Sequence, residues 1–121
     1  MTLVAAVREA MLGKPEQIRQ DTRRVAFFFP EAFVGFDGHF PNNPMLPGIA
    51  QIIAATLAVY PEGSSRIRQI RRAKFVSIIR PRQTMTVEAR YCKVEDGTLV
   101  TAECSTDNGV CAQLKLVLAP S

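Results

Sequence analysis

Residues 38–59 read GHFPNNPMLPGIAQIIAATLAV, and the second half of this stretch decides the fold. From Gly48 to Val59 only Gln51 and Thr56 interrupt Ile, Ala, Leu and Val, so a helix here has no polar face. A helix apolar all round is a buried helix, and one short helix buried on every side must be wrapped by other elements. The apolar run Met45 to Tyr60 falls short of the roughly 18–20 residues that cross a bilayer, so the wrapping is predicted to be protein and not lipid. The first half of the stretch holds the only histidine of the chain, His39, and three of its eight prolines, Pro41, Pro44 and Pro47. Prolines restrict a loop before it folds, which positions His39 against the helix start at little further entropic cost.

The wrapping is legible on both sides. Downstream, Ile67 to Ile79, Thr84 to Val94, Thr98 to Thr106 and Val110 to Leu118 suit strands. Alternation is clear in Thr84–Tyr91 (TMTVEARY) and in Gln113–Leu118 (QLKLVL). Glu95-Asp96-Gly97 and Asp107-Asn108-Gly109 have hairpin-turn chemistry, because Asn, Asp and Gly tolerate positive φ. Pro81 separates the first of these strands from the second. Upstream, Arg24 to Phe29 is β-rich and ends at Pro30. Leu3 to Leu12 reads as a short helix stopped by Gly13 and Pro15. Glu31 to Pro47 is a long loop whose aromatics, Phe33, Phe36 and Phe40, argue against disorder, and loops of this length in small domains are commonly functional. The sum is one domain over residues 1–121 of the α+β class: a curved antiparallel sheet, arranged as a meander after the helix, wrapped around one buried central helix in the manner of a hotdog fold. So short a sheet leaves an edge strand open, and pairing across a dimer would cover it.

Composition narrows the function classes. With 121 residues, 47% hydrophobic and 21% charged, the chain can build a real core; a formal charge of +4 favours acidic partners without being histone-like. Cys92, Cys104 and Cys111 are odd in number and form no CxxC pair, which argues against a disulfide framework, a zinc site or any other metal, and places the protein in a reducing cytoplasm. In these strand positions they read as small core residues. The N-terminal MTLVAAVREAML lacks a signal-peptide layout, since Arg8 and Glu9 interrupt it, and a soluble protein without a membrane partner is expected. Arg66, Arg68, Arg71, Arg72, Lys74, Arg80 and Arg82 supply seven of the 15 positive charges, with no acidic residue between Glu62 and Glu88. This stretch is either a solvated strand edge or a docking patch for an acidic partner. Nucleic acid would want aromatics interleaved with the charges, and only Phe75 is present.

Gly38-His39-Phe40-Pro41, then Pro44, then Pro47-Gly48-Ile49, resemble the GHFPxxPxxPGV signature of the 3-hydroxyacyl-ACP dehydratases of the FabA/FabZ type. Lys74-Phe75 stands where that family begins a strand, and Arg80-Pro81-Arg82-Gln83-Thr84 where it has a Pro-Gly-Asp-type turn. The resemblance covers roughly Val25 to Leu118. The apolar first strand of the fatty-acid enzymes is missing or much shortened here, and Phe29-Pro30-Glu31-Ala32-Phe33 looks more like compact relatives from specialised pathways such as aryl polyene synthesis.

The resemblance implies dehydration of a 3-hydroxyacyl thioester carried by acyl carrier protein or coenzyme A, without a cofactor. The reaction removes a weakly acidic C2 proton and expels the C3 hydroxyl. Neutral His39 suits the base, its pKa lying near neutrality. Negative charge moves onto the thioester oxygen, which the Gly48 N–H at the helix start can stabilise. Phe40, Pro47, Ile49 and Ile53 would line the acyl tunnel, and Arg71, Arg72 and Lys74 would dock the acidic carrier protein. The family also places a Glu or Asp on the helix six residues after the last loop proline, acting on the substrate held by the partner subunit's His. Here that position is Ile53, and no Asp or Glu lies between Asp37 and Glu62. General acid catalysis is worth about 10²–10⁴-fold, so standard turnover should be severely weakened. Gln51 and Thr56 are not acids and read as ordinary helix residues, although either could orient a water or the substrate hydroxyl. Two other readings stand beside a homodimeric dehydratase: a non-catalytic subunit that binds acyl-ACP or pairs with an active homologue, and a hotdog acyl-thioesterase.

Overall fold

The computed structural model describes residues 2–36 and 44–120. They form helix α1 (Leu3–Glu9), strands β1 (Met11–Arg19) and β2 (Thr22–Phe28), a single 3₁₀ turn (Val34–Phe36), helix α2 (Gly48–Val59) and strands β3 (Ile67–Phe75), β4 (Thr84–Val94), β5 (Gly97–Thr106) and β6 (Gly109–Leu118). The strands make one sheet in the order β1-β2-β4-β5-β6-β3, antiparallel at every joint. Helix α2 packs on β2, β4, β5 and β6 and on α1. This is the hotdog arrangement expected from the apolar stretch.

The helix is held at both ends by its neighbours. Pro47 is its N-cap in an extended conformation, φ −66° and ψ 149°, and Ala50 to Val59 are all buried. At the other end the Arg23 Nη1 on β2 donates to the Val59 carbonyl at 2.5 Å, which sets a cation against the negative end of the helix. The same guanidinium lies 5.2 Å from the Tyr91 ring centroid. Tyr60 and Thr98 share a hydrogen bond of 2.8 Å that ties the helix exit to β5. Facing the helix, alternate residues of the sheet are fully buried, among them Phe27, Met85, Val87, Val100, Leu114 and Leu116.

Three sequence expectations need correction. The first helix ends at Glu9, and Met11–Arg19 is a strand, so the first strand is present and not lost. It is polar and largely exposed because it is the sheet's edge. Gly13, at φ +81°, and Pro15 fall where the β1–β2 register shifts between Leu12 and Glu16; a bulged edge strand accepts both residues that would stop a helix. Second, the strand starting at Ile67 ends at Phe75, not Ile79, and lies beside β6 at the far edge instead of opening a meander next to β4. The space beside β4 is taken by β2. Third, Cys92 is exposed on β4, whereas Cys104 and Cys111 are the core residues expected.

The turn before β4 carries a non-glycine residue in left-handed conformation, Arg82 at φ 68°. Its backbone N–H donates to the Phe29 carbonyl at 2.7 Å, and Gln83 Oε1 accepts from the Arg80 N–H at 2.7 Å. The left-handed region costs a side chain about 1–2 kcal/mol, against about 0.5–1 kcal/mol for the extra freedom of glycine when unfolded. Arg82→Gly is therefore expected to raise stability by about 0.5–1 kcal/mol, read as a higher urea midpoint at unchanged slope; a lower midpoint would show that the Arg82 side chain holds the turn.

Candidate functional site at the N-terminus of the central helix

The segment carrying His39 and Phe40 lies outside the described residues, but both of its flanks are fixed. On the upstream side a chain of ring contacts runs from the sheet toward it: Phe27 to Phe29 at 6.0 Å, Phe29 to Phe33 at 4.8 Å, and Phe33 to Phe36 at 5.5 Å between centroids. The last two pairs are edge-on, the geometry aromatic quadrupoles favour. On the downstream side Leu46 is buried, and its N–H donates to the Ile79 carbonyl at 2.7 Å. Aromatic packing thus holds the upstream flank, and a backbone hydrogen bond holds the downstream one.

At that helix start there is a cavity of about 410 Å³, whose walls include Leu46, Pro47, Gly48, Gln51, Phe75 and Ile78. No side chain caps the helix. The first N–H groups of a helix have no partner within it, so they are available to an anionic or carbonyl oxygen, with the helix dipole favouring negative charge there. The cavity is mostly apolar, of the size and character of small-molecule sites. A larger hollow of about 720 Å³ lies on the outer face of the sheet among charged side chains such as Arg19, Arg72, Glu88 and Glu103. Most of the residues around it are charged or polar.

Of the site residues read from the sequence, Pro47 and Gly48 meet in this cavity. Gly48 allows a close approach, and within the chain it is the Phe75 ring that approaches: a Cβ on Gly48 would stand 2.7 Å from Phe75 Cζ. Ile49 is 49% exposed and Ile53 is buried, and neither lines the cavity. At about 100° per residue, Ile53 faces well away from Gly48. Thr56 is spent within the helix, its hydroxyl donating to the Ile53 carbonyl at 2.7 Å. Gln51 is different: it is 3% exposed, it lines the cavity, and its Oε1 has no hydrogen-bond partner among the described residues.

Two cavity residues carry more weight than the sequence gave them. Phe75 stood out as an aromatic in a basic stretch and as part of a strand start in the family resemblance. Gln51 was one of two polar interruptions, and the signal that separates it from Thr56 is its spacing, one helical turn after Gly48.

Strand β3 shows two characters. Arg72 and Lys74 pair across from Lys115 and Gln113 on the outer face, and Arg71 donates to Gln69 Oε1 at 3.1 Å. All three cations are exposed, and none is in an ion pair among the described residues. On the inner face, Ile70, Ala73 and Phe75 stand opposite the buried Leu116, Leu114 and Ala112. Helix α2 meets this face at Phe75, whose ring lies against Gly48, yet Ile70 and Phe75 are 48% and 46% exposed, as are Val76 and Ile78 just beyond at 56% and 48%. An apolar strip therefore runs from β3 to the cavity at the helix start.

A family model described as ApeI-like, ApeI dehydratase, matches residues 15–115. The chain belongs to the ApeI-like dehydratase family. It is 30% identical over 83 residues to a 3-hydroxyacyl-[acyl-carrier-protein] dehydratase FabZ of Ligilactobacillus salivarius, a match that covers 61% of this chain and 59% of that protein. The chain thus spans about three fifths of that curated relative. Among solved structures, the dehydratase heterocomplex ApeI:P from Xenorhabdus doucetiae superposes with a TM-score of 0.76 at 23% identity, over 90% of this chain and 96% of that one. A hypothetical thioesterase with coenzyme A from Streptococcus pneumoniae gives 0.69 at 7% identity, over 98% and 94%. At these identities the structures establish the hotdog fold. The FabA/FabZ-type resemblance of the GHFPxxPxxPG stretch and the ApeI-like match agree on one family.

Among the described residues no helix is long and apolar enough to cross a membrane, and no three His, Cys, Asp or Glu side chains gather as a metal site would need. Cys104 and Cys111 are buried and so poorly placed for nucleophilic work. Burial, with Cys111 and Glu103 adding to it, pushes the Cys104 thiol up to about 12. Thiol titration of the native protein at pH 8 is expected to modify one cysteine per chain, Cys92, and all three only after denaturation; two or three reactive thiols in the native state would contradict the buried placement of Cys104 and Cys111.

Proposed function

We propose that the protein is a dehydratase-type hotdog subunit that binds a 3-hydroxyacyl thioester, delivered on acyl carrier protein or coenzyme A, in the cavity at the start of α2. The observation that carries this reading is the uncapped helix N-terminus opening into an apolar cavity directly after the GHFPxxPxxPG loop. In this reading the thioester carbonyl accepts from the Gly48 N–H, Pro47 and the Phe75 ring shape the entry, and the acyl chain follows the apolar strip, with Phe40, Ile49 and Ile53 contributing where a second chain closes the tunnel. His39 takes the C2 proton. Charge that builds on the thioester oxygen is held by the helix N-terminus, and the electron pair then returns to form the C2–C3 double bond as the C3 hydroxyl leaves.

That hydroxyl needs a proton, and Ile53 has none to give. The site is therefore starved of its acid in a homo-oligomer. A mixed assembly, in which a homologous hotdog chain contributes the carboxylate, is the second reading. It is favoured by the combination of an apolar residue at the acid position and an uncovered apolar face on β3. In either assembly β3 is the contact strand: its open edge and bare inner face suit a second sheet and a second helix. The exposed Arg71, Arg72 and Lys74 flank that edge and would steer an acidic carrier protein to it. Three free thiols suit a cytoplasmic setting.

Purified protein given 3-hydroxyacyl and 2-enoyl thioesters, with enoyl absorbance and free thiol followed together, tests the reading. Slow interconversion of hydroxyacyl and enoyl forms is expected, abolished by His39→Ala and raised about 10²–10⁴-fold by Ile53→Glu, provided circular dichroism shows the variant folded. Free-thiol release without enoyl formation would make the protein a thioesterase. A wild-type rate that survives His39→Ala would remove His39 from the chemistry.

A further inference from the structure

The amide of Gln51 is the one buried side-chain polar group among the described residues whose oxygen has no partner. A buried acceptor left without a donor is costly, and native proteins keep few of them. Two bland explanations fail here. The group is not on the surface, being 3% exposed, and it is not spent within the helix as Thr56 is. It lines the cavity at the start of α2 together with Gly48.

We infer that Gln51 binds the 3-hydroxyl of the acyl thioester. This rests on the acyl-thioester reading above and extends it to the atom recognised. Gln51 follows Gly48 by three residues, so it stands on the same side of the helix and about 4.5 Å further along its axis, at 1.5 Å of rise per residue. In a 3-hydroxyacyl thioester one carbon, C2, separates the carbonyl carbon from the hydroxyl-bearing carbon, and with the chain extended the two oxygens approach a similar separation. With the carbonyl oxygen at the Gly48 N–H, the hydroxyl falls at the Gln51 amide. Its O–H supplies the donor that Oε1 lacks. A turn of the amide about its last bond exchanges acceptor for donor, so the same side chain can accept from the hydroxyl on binding and donate to it as it departs. Gln51 cannot release a proton, so it does not replace the missing acid. It selects and orients the substrate.

A site that holds a hydroxyl with a buried polar group rejects the analogue lacking it, because the polar group is then left unpaired. The test uses 3-hydroxyhexanoyl- and hexanoyl-pantetheine with an amide in place of the thioester, whose C2 proton is too weakly acidic for turnover. Calorimetry on the wild-type protein is expected to show a preference of about tenfold or more for the hydroxylated ligand. Gln51→Met, close in volume and without the orphan oxygen, should bind hexanoyl-pantetheine amide at least as well and lose the preference. Its unliganded melting temperature should equal or exceed that of the wild type. Equal affinity of the wild type for the two ligands overturns the inference while leaving the acyl-binding reading intact, as does a preference that survives in Gln51→Met. A marked fall in the melting temperature of Gln51→Met overturns it too, by showing that the amide is satisfied within the fold. Absence of binding by both ligands overturns the inference together with the reading beneath it.

Discussion

The structure depends on burying a helix that has no polar side. Every residue of α2 from Ala50 onward is buried, and fully enclosed side chains such as Leu57 are the kind whose truncation to alanine costs about 2–5 kcal/mol. No single layer can cover such a helix. The sheet answers by curling, with β2, β4, β5 and β6 each contributing inward residues, while α1 packs on the helix from elsewhere. At the helix exit β2 adds the Arg23 cation, which donates to the Val59 carbonyl.

What the sheet fails to cover is as informative as what it covers. β3 extends the sheet at its edge with little cover from α2, so Ile70 and Phe75 share a face with buried leucines and yet meet solvent. The strip ends at the start of α2, where Gly48, Gln51 and Phe75 line the cavity. The bare strip and the cavity thus meet at the same place. A second hotdog chain laid along β3 would close the sheet edge, bury the strip and enclose the cavity in one step. Ile53 looks away from its own chain's Gly48 and belongs to the buried core.

Much of this was legible in the sequence because it rests on local pattern. The twelve residues of α2 announce burial by composition alone, and β4, β5 and β6 are marked by alternation and by Gly97 and Gly109 in the turns. The missing acid could be found by counting along a fixed motif. β1 was not legible, because a bulged polar edge strand with Gly13 and Pro15 imitates the end of a helix. The position of β3 beside β6 was not legible either, since it depends on which strand reaches the far edge after the crossover, and only tertiary packing decides that. Gln51 could be seen but not weighed: an unpartnered buried oxygen is a property of the assembled core.

The claim that a second chain completes the β3 face and the site is tested most directly by sedimentation equilibrium of the purified protein at micromolar concentration, alone and with Ile70→Asp. The account predicts an assembly of at least twice the 13.4 kDa chain mass, falling to the monomer when a charge is placed on the apolar strip. A wild-type protein that stays monomeric at every concentration while binding acyl-pantetheine ligands would contradict it.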